Sequence, residues 1–138
     1  MLVVTPEVYD TVVDHALSGV PGEVCGILGG EFEDGHRSVS TVHQATNTAV
    51  DPQMTYRIDP EEQFELMEDI ERTGQNVVGF YHSHPAGPPR PSATDSTQAA
   101  WVGYSYLIVV LSGEYPYVGS WKWTGEAFER EPVALQSE

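Results

Sequence analysis

The residues best able to do chemistry gather in Gly79–Asp95, GFYHSHPAGPPRPSATD. Val77-Val78-Gly79-Phe80-Tyr81 is apolar and β-prone, and it reads as a short buried strand running into His82-Ser83-His84. Strand residues two apart share a face, so His82 and His84 project side by side at the strand's end. The stiff loop Pro85–Pro91 follows, and Ser92-Ala93-Thr94-Asp95 has the form of a helix start. Two imidazoles and a carboxylate assembled in this way give three metal ligands and a vacant fourth position, the pattern of catalytic zinc. Plainer readings stand beside it. Two histidines near a turn also suit a solvated loop, and Ser-x-x-Asp also suits an N-cap whose acid is favoured by the helix dipole.

One further element joins these pieces: Glu23, in Pro21-Gly22-Glu23-Val24-Cys25-Gly26-Ile27-Leu28-Gly29-Gly30. An upstream glutamate, His-x-His, seven residues and Ser-x-x-Asp resemble the signature of the JAMM (MPN+) metalloprotease family. Here these are Glu23, His82 and His84, the loop Pro85–Pro91, then Ser92 and Asp95. The flanks E-x-C-G-x-L-x-G and G-x-x-H-S-H-P match as well, and the resemblance covers nearly the whole chain.

The resemblance implies an α+β fold, a mixed β-sheet flanked by helices with the JAMM/MPN (cytidine-deaminase-like) core. It also implies one Zn²⁺ per chain, held by His82, His84 and Asp95. Glu23 would take a proton from the attacking water and hand it to the departing amine, and Ser92 would donate to the tetrahedral oxyanion. Zinc suits the task because it polarises an amide carbonyl and lowers the pKa of water to ~7. The chain lacks the room for the insertions of the eukaryotic deubiquitinases and resembles the compact prokaryotic form, close to the archaeal desampylases. The implied activity is hydrolysis after the C-terminal Gly-Gly of a ubiquitin-like modifier, on lysine conjugates and linear fusions. Two alternatives stay open: a peptidase that processes a sulfur-carrier protein, and a non-catalytic module that binds ubiquitin-like proteins. In the family Asn47–Arg57 lies near the substrate groove, which makes Met54 and Tyr56 candidate substrate contacts.

Other zinc chemistries fit less well. The chain contains no His-Glu-x-x-His, and its one cysteine cannot supply the Pro-Cys-x-x-Cys of nucleoside deaminases. That single cysteine also excludes an internal disulfide framework or a cysteine-based structural zinc site. Cys25 lies two residues from Glu23 and reads as a small buried residue under the site; a redox-sensitive thiol is the sharper alternative.

Charge narrows the partners. The chain carries 21 acidic and 6 basic residues, a net charge of -15, and Lys122 is its only lysine. Nucleic acid and anionic membrane are poor partners for such a surface. Acid excess with almost no lysine is expected of a halophilic source, where salt screens self-repulsion. No apolar run is long enough for a transmembrane helix and no signal-peptide pattern opens the chain, so a cytoplasmic enzyme is expected.

The elements that must position the site follow from periodicity. Thr5-Pro6-Glu7 starts a helix that runs to about Ser18-Gly19, with Val8, Val12 and Ala16 on its buried face and His15 on its polar side. Glu23–Glu31 reads as a strand, Glu33-Asp34-Gly35 as a hairpin turn, and Arg37–Ala45 as the returning strand, where His43 is a packed or surface residue. Asp59-Pro60 opens a second helix, with Phe64, Met67 and Ile70 as its buried stripe and Glu61, Glu62, Glu65, Glu68, Asp69 and Glu71 facing water. A third helix from Ser92 is expected to carry Ala99, Ala100, Trp101 and Val102. Tyr104–Leu111 should be a central strand, and Tyr117, Gly119, Trp121 and Trp123 line one face of the next, with core favoured for the tryptophans. The reading is one domain over residues 1–138, with 132–138 a flexible tail.

Overall fold

The computed structural model describes residues 1–136. Leu2–Val4 forms strand β1, and Thr5 then caps helix α1 (Pro6–Gly19), its side chain accepting the Val8 N–H at 3.1 Å. Strands β2 (Cys25–Glu33) and β3 (His36–Ala45) make a hairpin whose turn contains Gly35 at φ 77°, a left-handed conformation that glycine adopts without penalty. Helix α2 (Pro60–Arg72), strand β4 (Asn76–His84), helix α3 (Ala93–Gln98) and strands β5 (Ser105–Val110), β6 (Tyr117–Trp123), β7 (Phe128–Glu131) and β8 (Val133–Leu135) follow among the described residues. The eight strands form one sheet, ordered β7-β6-β5-β4-β2-β3-β1-β8. β4/β5, β1/β3 and β1/β8 are parallel and the other pairs antiparallel, so the expected mixed sheet flanked by helices is what forms.

Two apolar clusters join the sheet to its helices, and a smaller third one gathers Ile108, Val110 and Trp121. Val8, Val12 and Ala16 of α1 pack with Leu28, Val78, Tyr81 and Leu107. Ile70 of α2 packs with Ile27, Val77, Phe80, Tyr106 and Trp123. Fully burying a side chain of the Val, Leu or Phe class is worth roughly 1.5–3 kcal/mol, so each face contributes substantially. The strand β4 serves both clusters through its alternating side chains, and its register against β2 shifts between Leu28 and Gly29, which leaves Val78 as an extra residue. The bulge resets the alternation. From it onward Phe80, His82 and His84 share a face, while Tyr81 and Ser83 point to the α1 side.

Several expectations are corrected. Phe64 is 64% exposed; the inward stripe of α2 runs through Leu66, Met67 and Ile70, and one residue along a helix turns a side chain by about 100°. Glu62 is half-buried and accepts the Thr46 N–H at 2.7 Å. Helix α3 stops at Gln98, and Ala99, at ψ 131°, leads into irregular chain that carries Ala100, Trp101 and Val102. The strand containing the Glu23 segment starts at Cys25, leaving Glu23 in its extended approach. The tail expected from Pro132 pairs instead: Val133–Leu135 is β8, parallel to β1, and Gln136 N–H donates to Val4 O at 2.8 Å; the last two residues lie outside those described. Trp121 and Trp123 are buried, as core residues.

Candidate metal centre

His82 and His84 end β4 on the α2 side of the sheet, both buried. Asp95 reaches them from α3, where a capping box fixes it: Ser92 Oγ accepts the Asp95 N–H at 3.0 Å, and Asp95 Oδ2 accepts the Ser92 N–H at 2.8 Å. Three atoms then converge. His82 Nε2 and His84 Nε2 lie 3.2 Å apart, and Asp95 Oδ2 is 3.1 Å from the first and 3.0 Å from the second. At most one proton can lie between the two facing nitrogens, so hydrogen bonding alone satisfies this triangle poorly. A cation satisfies it well. Donors at about 2.0–2.1 Å in tetrahedral array stand about 3.3 Å from one another.

The surroundings prepare each ligand differently. His84 Nδ1 donates to Pro88 O at 2.9 Å, which leaves the Nε2 lone pair facing the centre. Gly87 lets this loop approach, since a Cβ there would meet the His84 ring at 3.0–3.2 Å. His82 has no such partner: its Nδ1 is buried without a hydrogen bond among the described residues. Its ring is held by Tyr56 instead, stacked at 4.4 Å between centroids and 24° between planes. Burial lowers the His82 pKa. Burial opposes but does not outweigh the Asp95 carboxylate and Pro88 carbonyl at His84, whose pKa is raised. Asp95 is buried too, yet the hydrogen bonds from His82 and His84 hold it well below the usual carboxylate range.

Glu23 is the fourth member, 7% exposed, with Oε1 lacking a partner among the described residues. Glu23, His82 and His84 each bring one ligand-type atom within 4.8 Å of the others. Burial pushes the Glu23 carboxyl up to about 7, a shift His84 reduces and Asp95 increases. Its backbone is clamped from outside the sheet, as Glu23 N–H donates to Pro52 O at 2.7 Å and Glu23 O accepts Asn47 Nδ2 at 2.9 Å. Val24 then zips onto Ser83, with Val24 N–H donating to Ser83 Oγ at 2.8 Å and Ser83 N–H to Val24 O at 3.0 Å.

All five candidate residues, Glu23, His82, His84, Ser92 and Asp95, therefore stand at one place. Ser92 is there as the cap of α3, its hydroxyl proton without an acceptor among the described residues. Cys25 pairs in register with His82 and is fully buried; burial pushes its thiol up to about 12, which fits the small buried residue. His43 bonds Thr41 Oγ1 at 3.0 Å and stays apart. Met54 is 71% exposed on the neighbouring loop. Tyr56, expected at substrate, also walls a cavity of about 380 Å³ with Arg57, Phe80, Trp101 and Tyr106. Three contacts escaped the sequence reading: the Tyr56 stack on His82, the Ser83 clamp on Val24, and the Asn47 clamp on Glu23. His15, expected on the polar side of its helix, bonds Tyr81 OH at 2.8 Å.

An open triangle of two imidazoles and a carboxylate, with a buried glutamate beside it, is a candidate metal site. The chain belongs to the JAB domain family: the profile described as prokaryotic homologs of the JAB domain matches residues 5–124. It is 41% identical to a desampylase of Haloferax volcanii over 92% of this chain and 91% of that one. A desampylase of Pyrococcus furiosus is 33% identical over 81% of this chain and 76% of its own. In solved structures, the solution structure of a Desulfitobacterium hafniense protein superposes with a TM-score of 0.90 at 32% identity, covering 100% of this chain and 94% of that one.

Proposed function

We propose that this protein is a zinc-dependent isopeptidase. It hydrolyses the amide bond after the C-terminal Gly-Gly of a ubiquitin-like modifier, releasing lysine conjugates and cutting linear fusions. The observation that carries the reading is Glu23, a buried carboxyl whose Oε1 has no hydrogen-bond partner among the described residues, beside His82 and His84, to which Asp95 is joined. The likeness to two desampylases supports the choice of substrate class.

His82, His84 and Asp95 would hold the zinc. When bound, the ion supplies Lewis acidity to the scissile carbonyl and makes water a competent nucleophile near neutral pH. Glu23 serves as the proton carrier, accepting from the attacking water and releasing to the lysine amine as the C–N bond breaks. In the metal-free protein burial raises the Glu23 carboxyl above the usual carboxylate range, in the direction that suits a group which both accepts and releases a proton. The Ser92 hydroxyl, anchored through its lone pair to the Asp95 N–H, keeps its proton for the oxyanion that forms on the carbonyl. The setting is the cytoplasm at high salt, in keeping with the net charge of -15 and with the Haloferax relative.

The test is a cleavage assay on a ubiquitin-like protein joined to lysine through its Gly-Gly carboxyl end, in ~2 M salt where surface charge is heavily screened. Wild type should cleave; Glu23→Ala, or wild type with chelator, should not. Cleavage confined to a carrier-protein–cysteine adduct would replace the isopeptidase with a sulfur-carrier peptidase. A zinc-loaded protein that cleaves neither would be a binding module.

A further inference from the structure

The Asn47 carboxamide meets five backbone groups. Nδ2 faces Glu23 O at 2.9 Å, Thr55 O at 3.1 Å and Pro52 O at 3.5 Å, while Oδ1 accepts the Ala49 N–H at 3.0 Å and the Arg57 N–H at 3.1 Å. One side chain therefore ties together both ends of the loop 48–57 and the backbone of Glu23. The same loop supplies Pro52 O to the Glu23 N–H at 2.7 Å. Both backbone polar groups of Glu23 are thus paired with this segment, not with the sheet. The metal-site residues have separate anchors, His82 and His84 on β4 and Asp95 on α3.

We propose that Asn47 is the positioning residue of the proton carrier: it sets Glu23 against the donor triangle, and it couples Glu23 to the loop 48–57. This rests on the reading of Glu23 as the general base. The loop carries Val50 and Met54, both exposed, and Tyr56, which stacks on His82. A substrate that presses on the loop therefore acts on Glu23 through the Asn47 carboxamide as well as through the Pro52 carbonyl. Asparagine suits the post because it donates and accepts from one short planar group. Aspartate keeps the acceptors for Ala49 and Arg57 but faces Glu23 O with another oxygen. Alanine keeps neither.

The test uses Asn47→Ala and Asn47→Asp in the full chain, with zinc content, melting temperature, steady-state cleavage of the modifier–lysine conjugate and amide hydrogen exchange measured together. Both variants should load zinc fully and keep KM, while kcat falls about 100-fold, the scale of a misplaced catalytic group. Exchange should quicken at Glu23 and Val24 and stay unchanged at His82 and His84. In a Glu23→Ala background, Asn47→Ala should slow residual cleavage no further, since the two act as one unit. Wild-type kcat in both variants, a loss that follows zinc content, or losses that multiply in the Glu23→Ala background would overturn the proposal. A wild-type protein inert on the conjugate would overturn the isopeptidase reading instead. Exchange would then still decide: unchanged protection at Glu23 and Val24 refutes the Asn47 clamp, and quickened exchange there upholds it.

Discussion

Ser92 and Asp95 bind each other reciprocally, Ser92 N–H to Asp95 Oδ2 at 2.8 Å and Asp95 N–H to Ser92 Oγ at 3.0 Å. The Oδ2 so engaged is the oxygen that faces both His82 and His84. A six-residue helix is too short to be stable by itself, so this box is what aims the carboxylate. Ser92→Ala should lose about 1 kcal/mol of stability from the missing cap. It should also slow cleavage about 100-fold from the missing oxyanion donor. Urea melts beside turnover separate the two, and Ser92→Thr should restore the stability. A wild-type rate in Ser92→Ala would leave Ser92 a cap and nothing more.

The donor triangle and Glu23 should divide their labour. His82→Ala and Asp95→Asn each remove one of three donors and should abolish stoichiometric zinc. Glu23→Gln should keep one zinc per chain and lose turnover. Elemental analysis after desalting reads this directly, and a zinc-free Glu23→Gln would make Glu23 a ligand.

How far the sequence foretold this site depends on the range of the interaction. The shared face of His82 and His84 is a consequence of two-residue periodicity, and the approach of Asp95 follows from a capping box only four residues long. The strands β1 and β8, three residues each, are too short to show any period, and they pair across 130 positions of sequence. Val78 looks like any other strand valine; only its mismatch with β2 makes it the bulge that turns Phe80 and His82 to the same side as Val77. Phe64 shows that an apolar residue at helical spacing need not face the core when Leu66, Met67 and Ile70 offer a better-registered stripe. Asn47 and Tyr56 act through tertiary contacts with Glu23 and His82, which no local pattern announces.

Glu23 should leave a pH signature on the metal-free protein. Burial raises its pKa from 4.5 to about 7, so the folded chain holds a proton that the unfolded chain releases at lower pH. Its contribution to stability is complete below about 4.5, is lost as pH rises through 7, and does not return above that. With chelator present, Glu23→Gln should therefore melt above wild type at pH 8 and level with it at pH 4.5. The same difference at both pH values would mean that the charge of Glu23 is not what burial penalises.

Net charge makes stability depend on salt. Glu61, Glu65, Glu68, Asp69 and Glu71 crowd the exposed side of α2 in a chain of net charge -15. Their mutual repulsion is screened as the Debye length falls from about 10 Å at 0.1 M salt to about 3 Å at 1 M. The melting temperature should rise through this range in sodium or potassium chloride. A chain most stable in dilute buffer would rule out adaptation to high salt.

His82 depends on Tyr56 for an orientation that His84 obtains from Pro88. The Tyr56 ring lies 4.4 Å from that of His82 at 24°, while His82 Nδ1 has no hydrogen-bond partner among the described residues. Removing the ring should free the His82 rotamer and weaken zinc binding by about 10- to 100-fold, the usual effect of losing a group that orients a ligand. Tyr56→Phe keeps the stack and should bind zinc as wild type does, whereas Tyr56→Ala should not. Competition against a chromophoric chelator measures both. Equal affinities in Tyr56→Ala and wild type would show that the packing around β4 holds His82 unaided, and Tyr56 would then belong to the substrate side of the site alone.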